Sequence, residues 1–229
     1  MKYKIEKNTV QETLIIPLYA RKVCSELYPN LYLDMATWRM VVSIICGVLG
    51  TALYYIGFHQ MWKLLKRHLT QPKQQKWVKL FQISYLTGTV CWGYVHAMFT
   101  NMALIFKFTF EKYGDMQAAA EIANKVFYCN AAPLLASYIL CDVLLSVVMI
   151  VMIWKKMLSL KNTAHRILAS FCNPIVFTGI VGNLFTFLPW PLDQIDHGTE
   201  SAGHLLVLAL GLVLLREMVK SGECKETVQ

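Results

Sequence analysis

The sequence predicts an all-α, polytopic transmembrane bundle of about five spans, and three observations predict it. The chain is 56% hydrophobic and only 16% charged, with a mean hydropathy of +0.43. Its apolar residues are gathered into long runs that a soluble core rarely needs, since a bilayer asks for roughly 20 apolar residues per helix. The connections between those runs alternate between strongly basic and neutral or acidic, which is the mark of a fixed orientation.

The first span is read over 39–61. No Lys, Arg, Asp or Glu occurs from Met40 to Met61, and Trp38, Arg39 and Trp62 sit at its ends as interfacial anchors. Gly47, Gly50 and Gly57 give it small-residue positions for close helix approach. The second span, 80–106, is uncharged throughout and carries His96 and Asn101. The third, 130–153, holds one charge, Asp142, about twelve residues from either end. The fourth, 167–190, is interrupted by Asn173-Pro174 and closed by Pro189-Trp190-Pro191, so a kink or break is expected, with Asn173 partnering the freed backbone groups. Asn183 lies in its outer half, and Gly179 and Gly182 again suit a close helix contact. The fifth, 200–216, is a shorter charge-free run that reaches spanning length by counting Glu200 and the snorkelling Arg216.

The loops orient these spans. "KLLKRHLTQPKQQKWVK" (63–79) has six Lys/Arg and no acid, and "KKMLSLKNTAHR" (155–166) has four and no acid. Residues 107–125 balance three bases with three acids, and 191–200 has three acids and no base. Short basic loops stay on the cytoplasmic side. Loops 62–79 and 154–166 and the C-terminus are therefore expected in the cytoplasm, with 107–129 and 191–199 outside and the protein in the inner membrane. Residues 1–37 form an N-terminal tail, read as an amphipathic surface segment or as a truncated or fused remnant. Residues 38–216 form the membrane domain and 217–229 a cytoplasmic tail. A short external helix is expected after Gly114.

The formal charge of +8 follows from that orientation, so lipids are the expected partners and nucleic acid is not. The seven cysteines include no CxxC pair, which argues against thiolate metal or redox chemistry. Phosphate-binding glycine loops and nucleophile-elbow patterns are absent as well. A homo-oligomer through the glycine-containing spans is one further expectation.

Chemistry rests on a few polar residues. Asp142 is the foremost candidate, because a carboxylate at that depth is costly unless paired, protonated or wetted. His96, Glu200 and His204 join it as catalytic candidates. Asp193, His197, Glu200 and His204 follow i, i+4, i+7 and i+11 spacing, one helix face if the helix begins that early. With His96 and Asp142, residues His197, Glu200 and His204 form a candidate divalent-metal set, zinc suiting such N and O donors. The plainer reading makes "DHGTES" a wet loop, with Asp196 or Thr199 as N-cap. Asn101, Asn173 and Asn183 are read as structural polar residues. The function class stays open between a small-molecule or ion-handling, sensory or structural bundle and a membrane-embedded metal-dependent hydrolase acting on a lipid or amide bond.

The stretches "WRMVVSIICGVLGTALYYIGFHQMW", "CNPIVFTGIVGN" and "DHGTESAGHLLVLALGL" resemble a family of uncharacterised bacterial integral membrane proteins, over residues from about 38 to 216. That resemblance implies a membrane bundle and no activity. "ETLIIPLYARKV" (12–23) resembles the opening of O-methyltransferases of the leucine carboxyl methyltransferase type. The glycine-rich loop and acidic ribose-binding residue of such enzymes do not follow, so methyl transfer is not expected.

Overall fold

The computed structural model describes residues 33–158, 160, 162–185, 187 and 196–220, with backbone alone described at 185, 196–201 and 218–220. Among the described residues all regular structure is helical. Helix α1 spans Thr37–His68 and α2 spans Pro72–Tyr113. Helix α3 spans Met116–Asn130, and α4 spans Ala132–Trp154. Helix α5 covers Thr163–Phe171, and α6 (Pro174–Phe177) runs through a π-helical turn, Thr178–Gly182, into α7, Asn183–Phe185. Helix α8 covers Asp196–Lys220.

Two of these helices, α1 and α4, are long and apolar enough to cross a membrane, or three elements are if the bent pair 163–171 and 174–182 counts as one. Five spans is therefore a finer reading than these elements show. The basic 63–79 stretch is mostly helix. Helix α1 runs on to His68, placing Lys66, Arg67 and His68 on its negative dipole end. Helix α2 restarts at Pro72, whose missing N–H costs nothing in a first turn. Across the turn, the Gln75 side-chain amide donates to the Leu69 carbonyl.

Helix α2 has 42 residues, about 63 Å at 1.5 Å per residue, far longer than the expected 80–106. Its two halves have different partners. The lower half lies along α4, where Lys155 sits 5.3 Å from the Trp77 ring and Trp92 stacks on Tyr138. The upper half pairs with α3, where Phe99 meets Phe127 at 4.8 Å. Gly114, at φ 70°, turns the chain in the left-handed conformation that glycine adopts without strain. The Asp115 carboxylate then caps α3 by accepting from the Ala118 N–H at 3.0 Å. The short helix expected after Gly114 is present and runs to Asn130. Met102, Phe106, Ala119, Ala123 and Phe127 fill the small core between α2 and α3, so 99–106 pack against α3 as well as extending the apolar run.

The larger core joins α1, α2, α4 and α8 through residues such as Phe58, Met61, Phe81, Val148, Met149, Met152 and Val207. Gly57 faces Leu208, and Gly211 faces Met61, so α8 runs parallel to α1. Gly50 and Gly179 meet nothing within 4 Å. Only 11% of the most apolar window of α1 is buried. Ile45, Leu49, Leu53 and Ile56 are among its exposed side chains, an apolar face of the kind that marks a protein or membrane contact.

The expected 167–190 span is broken. Helix α5 and the 174–182 segment are bent by 79°. Pro174 lacks the N–H that would continue α5, and Asn173 restarts the helix by accepting from the Ile175 and Val176 N–H groups at 3.1 and 3.2 Å. Its amide donates to the Ser146 carbonyl on α4 at 3.1 Å. The partnering role expected of Asn173 is thus present, at 1% exposure. Residues 188–195, including Pro189-Trp190-Pro191, lie outside the described residues, as do 1–32.

A candidate polar site where four helices meet

Asp142 is on the buried side of α4, one turn past Tyr138 and one turn before Ser146, so all three share a helix face. Its Oδ2 accepts from the Tyr138 hydroxyl at 3.1 Å. Its Oδ1 lies 3.0 Å from His204 Nε2 on α8. Against an ionised carboxylate the Nε2–H tautomer of the imidazole donates. The Asp142 and His204 side chains are 6% and 13% exposed, so the pair is screened from bulk water, and two further lone-pair directions remain on the carboxylate.

Aromatic rings fix the pair. The His204 ring packs edge-on against Tyr54 at 5.8 Å and Phe58 at 6.0 Å. Trp92 stacks on Tyr138 with ring centres 4.8 Å apart. Tyr85 stacks on Phe58, and its hydroxyl is 2.9 Å from His59 Nδ1. These residues enclose a small cleft with Tyr54 and Phe58 from α1, Ser84, Tyr85, Gly88, Thr89 and Trp92 from α2, Tyr138, Asp142 and Leu145 from α4, and His204 from α8. Its free space suits about one water or a group of one or two heavy atoms. The Ser84 and Thr89 hydroxyls donate to the Leu80 and Tyr85 carbonyls of their own helix.

The break in the fourth element lies beside this cleft. Pro174 packs so closely on α8 that a Cβ on Gly203 would come within 2.5 Å of Pro174 Cα. His204 follows directly, so the Gly203–Pro174 contact sets the height of the imidazole on Asp142. Ser146 Oγ, one turn beyond Asp142, is buried with no hydrogen-bond partner among the described residues.

Asp142 and His204, two of the residues singled out in the sequence, therefore meet. His96 packs elsewhere: it stands against Trp92 at 5.6 Å, and a Cβ on Gly47 would overlap its ring. Helix α8 begins at Asp196, early enough to carry His197, Glu200 and His204 in one helix, so Gly198 does not break it. The side chains of His197 and Glu200, and all of Asp193, lie outside the described residues. Among the described residues no three His, Cys, Asp or Glu side chains converge on a metal position; Asp142 and His204 supply two donors. Asn101 donates weakly to Met98 Sδ at 3.9 Å, and Asn183 donates to the Gly179 carbonyl.

Sequence reasoning missed the aromatic wall. Tyr138 carried a readable signal, four residues before Asp142 and so on its face. Tyr85, Trp92 and Tyr54 carried none.

Comparison with known proteins adds a family and no activity. The chain belongs to a family of unknown function, DUF6796, matched over residues 22–218. No curated protein and no solved structure matches it. The methyltransferase-like stretch 12–23 falls almost wholly before the family match and outside the described residues.

Proposed function

We propose that this chain is a polytopic inner-membrane protein that handles a small polar solute or ion at the Asp142–His204–Tyr138 cluster. The observation that carries the reading is a carboxylate inside an apolar helix, paired from a second helix and bordering a cleft. Burying a charge this way costs several kcal/mol before pairing and contributes little to stability that an apolar residue could not. Such groups in membrane helices belong to solute and proton pathways more often than to scaffolding. The broken fourth element supports it too, because discontinuous helices in transporters bring backbone groups to a site at mid-depth. The apolar exposed face of α1 suits lipid, and the alternating loop charges favour 62–79, 154–166 and the C-terminus in the cytoplasm.

The test is whether the pair communicates with water. Protein labelled with 15N-histidine in sealed liposomes, its His204 signal assigned by a His204→Gln control, is followed by magic-angle-spinning NMR. Between about pH 5 and 8, where histidines change charge, the His204 ring signals are expected to respond to bulk pH, and to lose that response in Asp142→Leu. Ring signals that stay fixed across the range would mark a sealed structural pair and overturn the reading.

A further inference from the structure

We propose that the cleft binds a small alkylammonium group. This rests on the reading of the cleft as a solute site and names its ligand class. Among the described residues the lining holds one carboxylic acid, Asp142, no Lys or Arg, and a wall of Tyr54, Phe58, Tyr85, Trp92 and Tyr138 drawn from three helices. A carboxylate in an aromatic enclosure favours a cation and repels an anion. It also selects among cations. Calcium and magnesium require six or more oxygen ligands or retained waters, and the cleft offers neither. A poorly hydrated organic ammonium is instead attracted to aromatic rings. Asp142 keeps two lone-pair directions after its bonds to His204 and Tyr138. The limited space sets the size at one or two heavy atoms, as in methylammonium, or as in the terminal ammonium of a longer molecule whose remainder stays outside.

Equilibrium binding of 14C-methylammonium to the full chain, purified in dodecylmaltoside without phospholipid, tests this. Saturable binding near one per chain is expected, displaced by unlabelled ethylammonium but not by potassium or by the uncharged isostere ethanol. Asp142→Asn keeps the shape and removes the charge, and is expected to weaken binding at least ~10-fold. Trp92→Leu is expected to weaken it roughly 2- to 30-fold, the range of one cation–π contact. Competition by free ethylammonium identifies a soluble amine as the source. Competition by glycerophosphoethanolamine alone identifies a lipid headgroup, and either supports the ligand class. No saturable binding by the wild-type chain, equal displacement by potassium or the neutral isostere, or unchanged binding by Asp142→Asn overturns it. A His204 that senses bulk pH in a chain that binds no ammonium would sink the ligand class and leave the polar-site reading standing.

Discussion

Replacing Asp142 separates a structural hydrogen bond from a site. Asp142→Leu removes the carboxylate to which the buried His204 Nε2–H and Tyr138 hydroxyl donate. Each unmet buried group costs about 1–3 kcal/mol in water-soluble proteins, whereas interhelical bonds in membranes average about 0.6 and reach about 1.7 kcal/mol. Relief of the carboxylate's own burial offsets part of this, so a net destabilisation of about 1–2 kcal/mol is expected. Asp142→Asn can still accept from His204 through its amide oxygen, while its NH2 donates to a rotated Tyr138 hydroxyl. A change below about 1 kcal/mol is therefore expected. The contact itself is isolated by the cycle Asp142→Leu, His204→Leu and the double variant, unfolded at equilibrium by sodium dodecyl sulfate in mixed micelles. A coupling of about 0.6–1.7 kcal/mol is expected. Additivity within about 0.3–0.5 kcal/mol, the behaviour of independent sites, would refute a direct Asp142–His204 bond.

Three further outcomes follow from the packing. Gly203→Ala drives a Cβ to 2.5 Å from Pro174 Cα, where backbone must move, and is expected to cost about 1–3 kcal/mol. Gly50→Ala, with nothing within 4 Å, is the matched control and should melt within about 0.5 kcal/mol of wild type. Asn173→Ala removes both the cap on α6 and the amide bond to Ser146, and a loss of about 1–2 kcal/mol in the same unfolding assay is expected. On the proposed topology, single cysteines replacing Lys73 and Gln117 in a cysteine-free chain react with an impermeant maleimide from opposite sides. Labelling of both from the same side would contradict the orientation.

The helical class and the candidacy of Asp142 were legible because they depend on local facts. A long uncharged run has few ways to satisfy its backbone except as helix, and a lone acid within one is expensive wherever its helix points. The break at Asn173-Pro174 was legible for a similar reason, since proline's missing N–H acts on its own segment. What depends on helix rotation was not legible. His96 and His204 look equally suited to meet Asp142, yet α2 turns His96 toward Gly47 while presenting Trp92 and Tyr85 to the cleft. Helix length was hidden too. Residues 63–79 and 107–113 read as loops by charge, but nothing in them breaks a helix except Gln71-Pro72 and Gly114. Charge reports which side of a membrane a residue prefers, and backbone chemistry decides whether it is helical.

The central claim is that Asp142 and His204 form one buried hydrogen-bonded pair between α4 and α8 in the folded protein in lipid. Rotational-echo NMR on chain labelled with 13C at aspartate Cγ and 15N in histidine rings, reconstituted in liposomes, measures it. The Asp142–His204 pair should show the strong dephasing of a carboxylate carbon one hydrogen bond from a ring nitrogen, absent from Asp142→Leu. Dephasing no stronger than in Asp142→Leu would contradict the account.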